Sequence, residues 1–197
     1  ASQNGGVITG WTMSDPTHVG LNVGGTNNPG LLVDNGAIPN GTNVAFIQGN
    51  SDSMSTMLST VISGLTPGVQ YQVTFRANRR TQYAAPQAAI SLNGGGFMPV
   101  VCAPAVGGAN PYHLNTVAFV ATSNTAPLVL QNSVVASTND ATLLVDNFSI
   151  STLGPLTVTS TADSGAGTLR TILTSAPHGA VVTFAPGLSG QSIVLTS

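Results

Sequence analysis

Between Gln70 and Asn78 the chain alternates strictly, with Tyr71, Val73, Phe75 and Ala77 set among Gln70, Gln72, Thr74, Arg76 and Asn78. A period of two predicts a strand with one dry and one wet face, and it puts Arg76 and Asn78 together on the wet one. The run Asn43-Val44-Ala45-Phe46-Ile47-Gln48 is continuously apolar between turn formers, as expected of a central strand buried on both faces. Residues 54–62 lead into Leu65-Thr66-Pro67-Gly68, where Pro presets one central φ and Gly tolerates the positive φ of the next; this predicts a hairpin. Further strands fit residues 88–93, 116–121, 128–131 and 142–150, separated by Gly, Pro and Asn. Residues 1–40 carry only brief apolar islands, Val7-Ile8, residues 19–23 and residues 31–33, among Gly, Asn and Pro, and read as short strands between loops. Roughly seven or eight short strands so punctuated predict an all-β chain built as a two-sheet sandwich.

Composition agrees with the periods. In 197 residues there is neither Glu nor Lys, the residues that normally fill helix surfaces, while Thr, Ser, Val and Gly abound. Four Arg against six Asp give a net charge of −2, too little positive field for a nucleic-acid partner. The apolar runs are far shorter than the roughly 20 residues that a membrane span needs. One Cys, Cys102 in Val100-Val101-Cys102-Ala103, excludes an internal disulfide and reads as a small buried hydrophobe. The uncharged, Lys-free composition and the start at Ala1-Ser2-Gln3 fit an exported mature product, or a fragment, so an extracellular or cell-surface location is expected.

Certain words in the chain resemble bacterial secreted modules of the galactose-binding-like jelly-roll superfamily. These are Pro39-Asn40-Gly41-Thr42-Asn43 with the apolar run after it, Leu65-Thr66-Pro67-Gly68 with Tyr71-Gln72-Val73-Thr74-Phe75-Arg76-Ala77 and Arg79-Arg80, and Val145-Asp146-Asn147-Phe148-Ser149-Ile150. The resemblance covers residues 7–151, with Gly10-Trp11-Thr12 as the entry motif. It implies a β-sandwich of the carbohydrate-binding-module type, often with a structural calcium ion and usually without catalytic residues. It also implies that a first strand, replaced here by residues 1–6, is missing from one edge. Beyond Gly154-Pro155 the grammar changes, and the stretch with Asp163-Ser164-Gly165-Ala166-Gly167-Thr168-Leu169-Arg170 resembles the opening of a right-handed parallel β-helix. Leu169, Ile172 and Leu173 sit at i, i+3 and i+4, which predicts a short helix to Ser175, stopped by Pro177. One coil of a solenoid buries too little to stand alone, so residues 156–197 are expected to lean on the sandwich or on another molecule. The expected organisation is a sandwich over residues 1–153 and a short C-terminal β extension over residues 154–197.

Catalysis has little to work with. His18, His113 and His178 are far apart without partners at metal-ligand spacing, the six Asp show no pairing motif, and no Gly-x-Ser-x-Gly elbow occurs, so no enzyme is expected. A sugar site needs an aromatic platform with planar hydrogen-bonding groups around it. Trp11, Tyr83 and Tyr112 offer the rings, and Arg76, Asn78, Arg79, Arg80 and Gln82 the polar groups; Trp11 reads first as a core or lip residue, and the arginines read also as loop braces. Asp146 is where the resemblance puts a calcium ligand, with a hydrogen-bonded structural Asp as the alternative. Two functions follow. The first is a structural or adhesive subunit of an extracellular bacterial assembly, self-associating as a filament through strand contacts. The second is a carbohydrate-binding module whose partner is a glycan.

Overall fold

The computed structural model describes residues 6–23, 38–49, 55–80, 83–102, 112–133 and 141–196. Ten strands lie in two antiparallel five-stranded sheets: β1 (Thr12–Met13), β2 (Val19–Val23), β3 (Asn43–Gly49), β4 (Ser55–Ser63), β5 (Gln70–Arg79), β6 (Ala88–Leu92), β7 (Met98–Pro99), β8 (His113–Val120), β9 (Thr125–Ser133) and β10 (Ala141–Thr152). One sheet runs β2-β3-β10-β5-β8 and the other β1-β4-β9-β6-β7. From β3 to β6, and again from β7 to β10, each strand passes to the opposite sheet, which is the wiring of a jelly-roll sandwich. The expected all-β jelly-roll β-sandwich is therefore the observed fold, while the expected island at residues 31–33 and Gln82 lie outside the described residues.

The core fills from both sheets. Val73, Phe75 and Ala77 of β5 and Leu143 and Val145 of β10 meet Leu58 of β4, Ile90 of β6 and Leu128 and Leu130 of β9. Phe75 is wholly buried and lies parallel to Phe148, centroids 5.0 Å apart at 9°. The predicted dry face of β5 is thus correct, and Tyr71 joins it with its hydroxyl accepting the Thr66 N–H at 3.0 Å.

Two expectations need correction. The Thr66-Pro67-Gly68-Val69 turn forms as the residue types demand, with Gly68 at φ 82° and the Val69 N–H donated to the Thr66 carbonyl at 3.2 Å. It does not close a hairpin, because β4 pairs with β9 and β5 with β10 and β8, so the turn arches from one sheet to the other. Asn78, placed by period on the wet face, and Arg80, expected as a contact group, are 0% and 7% exposed. Here the outer face of the first sheet carries a second small core of Val44, Phe46, Leu144 and Tyr112 with Ile38 packed on it, and Asn78 stands opposite Leu144 across the β5–β10 pair. The double-sided burial of β3 is the same fact seen from its neighbour.

The extension holds β11 (Leu156–Val158) and β12 (Val182–Phe184), paired in parallel, with α1 (Leu169–Ser175) between them. The helix is where the apolar spacing puts it. The Thr168 side chain caps its N-terminus by accepting the Thr171 N–H, and it stops before Pro177. The β11–β12 pair is the one parallel strand pair among the described residues. The extension rests on its own chain: the Ala118 N–H of edge strand β8 is donated to the His178 carbonyl at 2.6 Å, and the Val181 N–H to Gln70 Oε1 at 2.5 Å. Gly179 makes this approach feasible, since its φ is +80° and a Cβ there would lie 2.2 Å from the Ala118 carbonyl oxygen.

Candidate functional site

The entry motif is folded back onto the sandwich. Gly10, at φ 81°, closes a turn in which the Trp11 N–H is donated to the Ile8 carbonyl at 3.0 Å, and the Gly10 carbonyl accepts the Thr60 hydroxyl of β4 at 2.7 Å. β1 then pairs with β4 at only two registers, Thr12 with Ser59 and Met13 with Leu58. Trp11 is thereby held half-buried against Phe148, centroids 5.1 Å apart at 55°, and Phe148 passes the contact to Phe75. Trp11 thus packs on the core at its lip, as the core-or-lip reading of it expects.

A cleft of about 250 Å³ opens beside Trp11, walled by Trp11 and Phe148 and edged by Asn40, Asn43, Asp146 and Asn147. The polar edge comes from an irregularity in β10: the β5–β10 register slips between Asp146 and Ser149, and Asn147 takes a left-handed φ of 55° there, a conformation Asn tolerates better than most residues. Asp146 Oδ2 accepts the backbone N–H of Asn40 at 2.8 Å and so pins the loop before β3 to the bulge. One aromatic wall faced by amides and a single carboxylate can hold a neutral polyol; it offers no pair of acids for hydrolysis.

Asp146 Oδ2 accepts an amide N–H, the hydrogen-bonded structural role that stood as the alternative to a calcium ligand.

The arginine stretch is architecture for the most part. Arg76 Nη1 donates to the Tyr112 carbonyl at 3.1 Å, and the Arg79 N–H to Asn78 Oδ1 at 2.8 Å. The Arg80 guanidinium lies 3.9 Å above the Tyr83 ring, a cation–π contact, and the Arg80 N–H reaches the Thr142 carbonyl. Tyr83 is exposed, but Tyr112, expected as a sugar platform, is buried in the second core, and that burial together with the Asp146 charge pushes its hydroxyl above the ordinary range. Of the expected contact residues, Trp11 lines the cleft; Asn78, Arg80 and Tyr112 are inside the fold. Asn40, Asn43, Asn147 and Phe148 were missed. Asn40 stood in the sequence only within a word of the resemblance, and nothing local marks the left-handed Asn147.

Other reactive groups are quiet. Asp15 accepts from Thr17 and contacts His18 Nδ1 at 2.7 Å, and the Thr17 hydroxyl chiefly, with His18, holds its carboxyl far below the usual range. Burial pushes the Cys102 thiol up to about 12, against a small downward pull from Arg79. This is the inert, packed cysteine expected.

No protein-family model matches the chain, and no curated protein does. Solved structures do. The enzymatically active domain of bacteriophage CBA120 tailspike protein 4 is similar at 14% identity and TM-score 0.47 over 78% of this chain, which spans only 21% of that one. The carbohydrate-binding module TmCBM61, solved with β-1,4-galactotriose, is similar at 17% identity and TM-score 0.43, over 74% of this chain and 90% of that one. The CBM22-1 xylan-binding domain of Paenibacillus barcinonensis Xyn10C is similar at 13% identity and TM-score 0.47, over 77% and 90%. Likenesses this distant bear on neither the ligand nor the activity of this chain.

Proposed function

We propose that this chain is a non-catalytic carbohydrate-binding module of an exported protein, with its glycan site in the cleft between Trp11 and the β10 bulge. The observation that carries the reading is the facing of one half-buried tryptophan and Phe148 against Asn40, Asn43, Asp146 and Asn147 in a cleft of about 250 Å³. A pyranose ring has an apolar C–H face and a rim of hydroxyls, which this pairing of aromatic and amide surfaces complements.

A subunit role in a self-associating assembly rested on termini completed by neighbours. The extension instead rests on β8 of its own chain, and that reading loses its main support.

Trp11 is the only tryptophan, so its fluorescence reports on the cleft directly. Binding to a polysaccharide on a glycan array should be accompanied by a change in that fluorescence. Asn147→Gly, which removes the amide and keeps the left-handed φ without strain, should weaken binding about tenfold, the size of one lost hydrogen bond to a buried ligand group, while leaving the melting temperature nearly unchanged. An array without a single bound glycan, and a fluorescence that no sugar alters, would end the proposal.

A further inference from the structure

On the opposite side of Trp11 lies a second opening of a different character. It is a notch of about 160 Å³ between the two sheets, with Val73 and Leu128 as its floor, Trp11, Ile62 and Phe148 as its walls and Ile150 on its rim. It exists because both sheets stop short on this side. β1 covers β4 only as far as Leu58 and Ser59, leaving Val61 to Ser63 paired with β9 on one side alone, and β3 follows β10 only as far as Val145, short of the segment that contains Ser149 and Ile150. Val61 and Ile150 are 64% and 40% exposed in consequence. Among the described residues Thr60 and Ser149 are its only lining residues of polar type, and the Thr60 hydroxyl is already committed to the Gly10 carbonyl.

Such a lining selects against a sugar ring, whose hydroxyls would find no partners, and for carbon alone. Its size matches one six-membered ring: a dry cavity of about 150 Å³ lined by Leu, Ile and Phe is known to take benzene. Trp11 and Phe148 line the notch and the polar cleft alike, so the two openings meet across the same pair of rings. We propose that the notch is a subsite for a ring-sized apolar substituent carried by the bound sugar, making the preferred ligand an aryl- or alkyl-substituted glycan. This rests on the glycan reading of the polar cleft and adds what lies beside the sugar.

The test is a fluorescence titration of the intact chain with the methyl and phenyl glycosides of glucose, galactose, mannose and xylose, and with toluene alone. For at least one sugar the phenyl glycoside should bind about tenfold more tightly than the methyl one, as burial of one ring's worth of apolar surface implies, and toluene should perturb Trp11 at high concentration. Ile62→Phe fills the notch and should abolish the phenyl advantage while leaving the methyl glycoside unaffected. Ile150→Asp, at the exposed rim, should reduce the same advantage without the risk of disturbing the core. Equal binding of methyl and phenyl glycosides would overturn the subsite and leave the glycan reading standing. A response to toluene with none to any glycoside would overturn both the glycan reading and the coupling of the two openings.

Discussion

The sandwich and the C-terminal extension use the same amino acids to opposite effect. In the sandwich, large apolar side chains vanish: Phe46, Phe75, Ile90, Leu130 and Leu143 are 1% exposed or less. In the extension, Val158 is the single wholly buried apolar residue, α1 buries none, and Leu173, Phe184 and Val194 stand 53%, 53% and 68% exposed. Two facing sheets let each strand bury side chains against a partner layer, while one parallel pair with a short helix has no second layer to face. The extension is therefore held by directional contacts. Arg170 bonds Asp163 at 2.6 Å and the Thr196 carbonyl at 2.5 Å, Thr168 caps α1, and His178 ties the segment to β8.

That contrast can be broken at three points. Phe75→Ala should cost about 3–5 kcal/mol of sandwich stability in chemical denaturation, whereas Leu173→Ala should stay within about 0.5 kcal/mol; equal losses would mean that the extension has a core after all. Gly179→Ala should cost about 1–3 kcal/mol, because a left-handed residue gains a Cβ against a backbone carbonyl. Its signature is faster amide exchange at Ala118 and around residues 176–181, with the remainder of the sandwich as protected as before, and unchanged exchange at Ala118 would mean that the junction is not where the extension is held. The smallest effect is acidic. Hydrogen bonds from Thr196 first, then Arg170, lower the Asp163 carboxyl below its ordinary value, so its contribution is present above that value and fades as pH falls through the depressed one. Proteolysis of the C-terminal segment should accelerate at that end of the pH range, and Asp163→Asn should remove the dependence.

The same division governs what could be read from residues alone. Alternation in β5 and the apolar spacing of α1 are short-range patterns, and both were legible, as was the double-sided burial around Phe46. The turn at Pro67-Gly68 was legible as a turn but not as a crossing between sheets, since local φ values do not say which layer the next strand joins. Asn78 misled because its cross-strand neighbour Leu144 belongs to a second core with Val44, Phe46 and Tyr112, brought together from three distant parts of the chain. The candidate site was hidden for the same reason. Asp146 finds its partner Asn40 across 106 residues, and the bulge that aims Asn147 interrupts a run that reads as plain strand.

The strand wiring also sets a timetable. β3 cannot complete its ladder until β10 arrives, nor β4 until β9, and among the described residues of the two layers only the β2–β3 and β6–β7 pairings join neighbours in the chain. Folding should fall in the slow, millisecond-to-second class of non-local β proteins, and a nascent polypeptide should stay open on the ribosome until about residue 150 has emerged. A chain obliged to wait that long unfolded is one that can still be threaded through a membrane channel before it closes.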